Sequence, residues 1–166
     1  FDYLKKLGFS KLSEEYDVIQ PLALGGITYG VSDLELTAAY AAIADGGQYR
    51  KPVFYTKVTD SKGNVLIDNT ENKATQVFKA STASLLTNAM EDVLEKGTGV
   101  AARLDNMHAA GKTGTTNEAK DLVFAGFTPY YTAAIWATYD THAEFPESDR
   151  EFHKRLWAKV MNCLLY

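Results

Sequence analysis

The sequence predicts an α/β domain of the α+β type: an antiparallel sheet flanked by helices, with one separate β-hairpin. Three observations carry this. The apolar runs Leu122–Thr128 and Ala133–Tyr139 are joined by the turn pair Pro129-Tyr130, which reads as two sheet strands. Segments ending near residues 44, 96 and 165 carry apolar side chains at helical spacing. The run Val53–Thr59 is rich in β-branched and aromatic residues, and it returns at Val65–Ile67 across the turn residues Asp60-Ser61-Lys62-Gly63.

In chain order, a short helix is expected around Asp2–Leu7, then a loop through Pro21 and Gly25-Gly26. Ser32 or Asp33 can cap a helix running to about Ala44, because a short oxygen side chain accepts the free N–H groups of a first turn. Its apolar stripe reads Leu36, Ala39, Tyr40 and Ile43, and Gly46 and Gly47 end it, since glycine enters the left-handed region without strain. The hairpin spans 51–68. A helix from about Ser81 to Lys96 follows, with the stripe Leu86, Met90, Val93 and Leu94, and Gly97 and Gly99 stop it. A strand is expected from His108 to Thr115, before the two apolar strands, whose near-continuous apolar content suggests a sheet covered on both faces. The last helix runs from about Asp149 to Leu165 with Phe152, Leu156, Val160 and Leu164 on one face.

At 166 residues the chain has the size of one domain, and 46% hydrophobic with 23% charged residues is a globular composition. A net charge of -4 argues against a nucleic-acid partner. No apolar run reaches membrane-spanning length. Opening on Phe1, without Met or leader and inside a helical pattern, is what a piece of a longer protein is expected to look like. Cys163 is the one cysteine, so no internal disulfide or cysteine metal cluster can form.

The segment Gly111-Lys112-Thr113-Gly114-Thr115-Thr116 carries the chemistry. A phosphate loop would need a glycine where Asn106 stands, and would lead into a helix rather than toward another strand. Lys112-Thr113-Gly114 instead matches K-T-G, a motif of serine acyl-transferases. On a strand lining a cleft, Lys112 supplies an ammonium, Thr113 and Thr115 supply hydroxyls for a carboxylate, and Gly114 lets a substrate backbone lie close. By itself the tripeptide is weak, because a turn lysine on a solvated surface would read the same.

Its surroundings strengthen it. Leu24–Gly47 resembles the "L-G-G…G-V-S-x-L-E…A-Y-A…A-x-G-G" segment of class A penicillin-binding proteins, the bifunctional peptidoglycan synthases. Tyr49-Arg50-Lys51-Pro52, Glu95-Lys96-Gly97-Thr98-Gly99, Ala110–Asn117 and Phe124–Pro129 are similar to further segments of that family, in family order. The resemblance implies a β-lactamase-like transpeptidase fold, present over 1–166 as the C-terminal portion of the domain. It implies that Lys112 works in the proton-transfer network and that Thr113 and Thr115 bind the carboxylate of a D-Ala-D-Ala stem peptide or a β-lactam. Gly114 and Thr116 complete the binding strand, and the Thr115 N–H would be one oxyanion-hole donor. No metal or organic cofactor is implied, and the parent would work at the extracytoplasmic face of a bacterial membrane.

The family's S-x-x-K nucleophile is missing: the residues three after the seven serines are Ser13, Tyr16, Glu35, Asn64, Ser84, Thr87 and Glu151. S-x-N and Y-x-N are missing too. Both lie N-terminal to this segment in the family, so truncation is the simplest account. Without the serine no acyl-enzyme forms, and the chain alone is expected to be inert. A half-domain should also expose apolar surface and self-associate or bind the N-terminal part. One rival is a non-catalytic peptide- or peptidoglycan-binding module, for which the full gene would also lack S-x-x-K. The other is a hydrolytic relative, against which Leu24–Gly47 argues.

Among the other candidates, His108, His142 and His153 are too dispersed for a metal site. Trp136 and Trp157 read as core, Phe54-Tyr55 and Tyr130-Tyr131 as strand packing, and Glu91, Asp92 and Glu95 as a solvated face. Glu118, Lys120 and Asp121 follow the K-T-G strand in a loop that would border the cleft.

Overall fold

The computed structural model describes residues 1–165. After α1 (Asp2–Lys6), a loop is held by Asp17, which is buried and accepts from the Ser13 and Thr28 N–H groups, both at 2.8 Å. Those backbone bonds hold its carboxyl below its usual pKa. Helix α2 (Asp33–Ala44) starts on a capping box: Ser32 Oγ accepts from the Glu35 N–H and the Glu35 carboxylate accepts from the Ser32 N–H, each at 3.2 Å. It ends where Gly46 and Gly47 take φ of +61° and +89°. A Cβ on Gly47 would sit 2.1 Å from the Phe78 carbonyl oxygen, so glycine is required there twice over. The Gly47 carbonyl accepts from the Val77 N–H, tying β1 (Gln48–Tyr49) to β4 (Thr75–Gln76).

The hairpin is shorter than expected. It consists of β2 (Lys57–Thr59) and β3 (Val65–Asp68), antiparallel, with a register shift after Val58. Residues 53–56 stay outside the ladder, and Asn69 holds the last two of them: its N–H donates to the Thr56 carbonyl at 2.7 Å and its side chain to the Tyr55 carbonyl at 3.2 Å. Phe54 and Tyr55 are exposed rather than packed in a strand, as are Tyr130 and Tyr131 at the later turn.

The main sheet has the order β5-β6-β7, all antiparallel, with β5 spanning Ala110–Thr115, β6 Asp121–Phe127 and β7 Thr132–Thr138. Strand β5 therefore starts two residues later than the predicted His108. Helix α3 (Ala80–Glu95) lies along β5, and α4 (Phe152–Leu165) along β7 and β6. One core joins Leu94, Phe124, Trp157 and Met161. The Phe124 and Trp157 rings meet edge to face with centroids 5.0 Å apart, and the Trp157 indole N–H donates to the Ala133 carbonyl at 2.9 Å. On the other sheet face Met90, Ala110 and Phe127 pack with Tyr40 and Ile43. Strand β6 is thus covered on both faces, as predicted for both apolar strands, whereas β7 is only half-buried along its length.

The expected stripe of α2 faces inward: Ala39 is buried, and the half-buried Leu36, Tyr40 and Ile43 pack against the cores, joined by the buried Ala38 and Ala42. Two other expected faces are corrected. In α3, Ala83 replaces Leu86, which is exposed. In α4 the buried set is His153, Lys154, Trp157, Ala158 and Met161, whereas Phe152, Leu156, Val160 and Leu164 face outward. Trp136 is not core either. It is 55% exposed, and its indole N–H reaches the Asp121 carboxylate at 3.0 Å instead of packing under a helix.

Candidate active site

Strand β5 is the sheet edge, and its ladder fixes which groups point outward. The Thr116 N–H donates to the Asp121 carbonyl, so backbone polar groups at 116, 114 and 112 face β6. By alternation, the N–H and C=O groups of Thr113 and Thr115 face away from the sheet, and no strand pairs with them among the described residues. Side chains alternate the other way. Lys112 and Gly114 share a face with Ala125 and Val123, and Thr113 and Thr115 share one with Phe124 and Leu122.

Lys112 is exposed and bends along this edge, where its ammonium donates to the Thr113 carbonyl at 2.9 Å. It is in none of the ion pairs among the described residues. The two glycines of the strand differ. A Cβ on Gly111 would lie 2.7 Å from Phe124 Cζ and 2.9 Å from the Ala125 carbonyl oxygen, so packing under the sheet demands glycine. A Cβ on Gly114 would meet nothing nearer than Val123 Cβ at 3.4 Å. The chain itself leaves room there, open to whatever lies on that edge.

The Thr113 hydroxyl is 2.8 Å from the Thr98 hydroxyl. Thr98 sits between Gly97 and Gly99 at the end of α3, where the backbone folds back on the helix: a Cβ on Gly97 would lie 2.8 Å from Val93 Cα. The Thr98 carbonyl accepts from the Lys154 ammonium at 3.0 Å, and Lys154 pairs with Glu151 at 2.5 Å. Thr116 is engaged elsewhere. Its hydroxyl accepts from the Asp121 N–H at 2.8 Å and donates to the Asp121 carboxylate at 3.1 Å.

The loop after β5 puts Glu118 and Ala119 at φ of +61° and +48°, unusual for residues with a Cβ. Burial of Ala119 with Leu122 and Phe145, and a bond from the Phe145 N–H to the Ala119 carbonyl at 3.0 Å, hold the loop in place. Glu118 and Lys120 form an ion pair at 2.5 Å. Each holds the other charged: the Glu118 carboxyl lies below and the Lys120 ammonium above its ordinary pKa.

An open hollow of about 400 Å³ lies between α2 and α3, lined by Ile43, Ala83, Thr87 and Glu91 among others, none of them on β5. Among the described residues no three His, Cys, Asp or Glu side chains converge as a metal site would require. The K-T-G edge therefore stands out by its exposed donors rather than by a cavity.

Comparison with known proteins decides the family: the penicillin binding protein transpeptidase domain matches residues 1–162. The chain belongs to this family. It is 40% identical over 141 residues to penicillin-binding protein 4 of Bacillus subtilis (strain 168), covering 85% of this chain and 22% of the relative. It is 36% identical over 137 residues to penicillin-binding protein 1A of Clostridium perfringens (strain 13 / Type A), covering 82% of this chain and 19% of the relative. The chain thus spans about a fifth of the length of these relatives. In fold it is similar to PonA1 of Mycobacterium tuberculosis, solved in complex with penicillin V, with a TM-score of 0.72, 24% identity, and coverage of 95% of this chain and 48% of that one. The helices and antiparallel sheet are those of a penicillin-binding-protein transpeptidase domain.

In this transpeptidase chain the structure gathers Lys112, Thr113, Gly114 and Thr115 on one exposed edge and commits the Thr116 hydroxyl to the loop. Sequence reasoning missed Thr98 and Lys154. The signal for Thr98 was its place in the family-like segment Glu95–Gly99, where Gly97-Thr98-Gly99 reads first as a helix stop. Lys154 gave none, because a lysine at the start of an amphipathic helix reads as solvated.

Proposed function

We propose that the chain is the C-terminal portion of a serine-type D-Ala-D-Ala transpeptidase domain and supplies the K-T-G wall of its active site. The parent reaction is acyl transfer. A serine elsewhere in the parent attacks the carbonyl between the two terminal D-alanines, D-alanine leaves, and the acyl group passes to an amine on a neighbouring strand.

Four residues of β5, Lys112 to Thr115, have a role in this reaction. Lys112, unpaired by any carboxylate, holds a positive charge beside the reacting groups and works in the proton-transfer network. Thr113 and Thr115 offer hydroxyls to the carboxylate of a stem peptide or a β-lactam. Gly114 keeps the strand clear for the ligand. The Thr115 N–H is one oxyanion donor, and the nucleophile's own N–H is the other. The observation that carries this proposal is the edge of β5, where no strand among the described residues pairs with the outward backbone groups of Thr113 and Thr115, and where the Lys112 ammonium lies against the Thr113 carbonyl.

The partners are peptidoglycan stem peptides, β-lactams and the N-terminal part of the same domain, at the extracytoplasmic face of a bacterial membrane. Among the described residues no helix is long and apolar enough to cross a membrane. The exposed stripe Phe152, Leu156, Val160 and Leu164 is apolar surface through which the isolated chain would associate.

Fluorescent-penicillin labelling of the isolated chain beside the full-length polypeptide tests this function. Stoichiometric labelling of the full-length protein on a serine outside this chain, with none on the chain alone, is the expected result. Labelling of the isolated chain would overturn its predicted inertness. A full-length protein that never labels would make this a non-catalytic peptide-binding module.

A further inference from the structure

The contact between the Thr98 and Thr113 hydroxyls is the outer end of a longer relay. Lys154, on the first turn of α4, is only 7% exposed. A buried ammonium is costly unless partnered. Glu151, one turn away on the same stretch of chain, is a partner at 2.5 Å. Lys154 makes a second bond that charge pairing does not require: it crosses to the Thr98 carbonyl at 3.0 Å, 56 residues away in sequence.

We infer that Lys154, acting through Thr98, is a positioning residue for the Thr113 hydroxyl, a role that rests on the assignment of Thr113 above to the substrate carboxylate. The turn at Thr98 has glycine on both sides, and glycine leaves a backbone free to rotate. A charge-assisted bond from Lys154 fixes the orientation of the Thr98 peptide. Thr98 Oγ1 is then held 2.8 Å from Thr113 Oγ1.

The direction of that hydroxyl pair matters. Each hydroxyl has one hydrogen to give, and in the free chain either can be the donor. A carboxylate on the β5 edge takes the hydrogen of Thr113, and Thr98 then donates to the oxygen of Thr113. A hydroxyl that already accepts a hydrogen bond is a stronger donor, so Thr98 strengthens the grip of Thr113 on an anion. Neither Lys154 nor Thr98 touches the reacting atoms; both act on the ligand's carboxylate end.

The experiment compares acylation of the full-length polypeptide by a penicillin with a free carboxylate and by its methyl ester. In Thr98→Val and Lys154→Met the free-acid rate is expected to fall roughly fivefold, the worth of one ordinary hydrogen bond, with the ester rate within about twofold of wild type. Thr98→Ser keeps the hydroxyl and restores the free-acid rate. An equal loss for both compounds, or no loss for either, overturns the role of Lys154 and Thr98. If Lys154→Met does not fold, Thr98→Val and Thr98→Ser decide the role of Thr98, and Lys154→Gln, which keeps a donor but loses the charge, is read with the same two compounds: a selective loss on the free acid supports the role of Lys154, and an equal loss or none overturns it. A wild-type polypeptide that neither compound acylates would defeat the transpeptidase function itself, and the positioning role with it.

Discussion

Gly111 and Gly114 stand three residues apart on one strand, and only the first is required by the protein's own packing. An added Cβ meets Phe124 Cζ at 2.7 Å at Gly111 but only Val123 Cβ at 3.4 Å at Gly114. The first glycine serves the core, and the second serves whatever lies against the edge.

Two alanine substitutions therefore part company. Gly111→Ala is expected to destabilise by about 1–3 kcal/mol through overpacking. Gly114→Ala should leave the thermal midpoint within a few degrees of wild type, while the full-length protein loses about tenfold or more in penicillin acylation. Calorimetry and a labelling time course read the two effects separately.

Thr113→Val keeps the shape of the side chain and removes its hydroxyl. Acylation of the full-length protein should slow by about ten- to a hundredfold, the range for a hydrogen bond to a charged group. A change under twofold would exclude Thr113 from carboxylate binding.

His153 predicts a pH dependence. It is buried, and neither ring nitrogen has a hydrogen-bond partner. Burial first, and the Lys154 ammonium second, push its pKa below the ordinary value. As pH falls through about 6.5, the unfolded chain takes up a proton that the folded chain resists. Stability from this group is complete above that pH and is lost progressively below it, down toward the folded-state pKa. Urea midpoints of the chain should drop between pH 7.5 and pH 5.5, and His153→Leu should flatten that slope.

Trp157→Ala should cost about 3–5 kcal/mol, because it empties the centre of the core and removes the indole's bond to the Ala133 carbonyl. Phe152→Ala, on the outward stripe of the same helix, should cost less than half as much by chemical denaturation.

Much of the fold was legible where the signal is local. Ser32, Gly46-Gly47 and Pro129-Tyr130 each act through their own backbone conformation or immediate neighbours, and each marks the boundary it was expected to mark. The faces of the helices were less legible, because burial is a tertiary choice. Helix α4 has apolar side chains on two stripes, and the one that contains Trp157 won the sheet. Trp136 looked like core because its strand is apolar, but the Asp121 carboxylate gave its N–H a partner at the rim. The residues of β5 were readable from K-T-G and its neighbouring segments. Lys154 was not, since its partner Thr98 lies 56 residues away and no pattern in the sequence joins them.

The open edge of β5 has a second consequence. A row of outward amides and carbonyls is also a template for another copy of the same strand, the route by which sheets grow from chain to chain. Lys112 is the charge set in that row. Two copies laid edge to edge would crowd their ammonium groups, so the lysine also acts as a gatekeeper that keeps an obligatorily exposed strand from adding to its own kind.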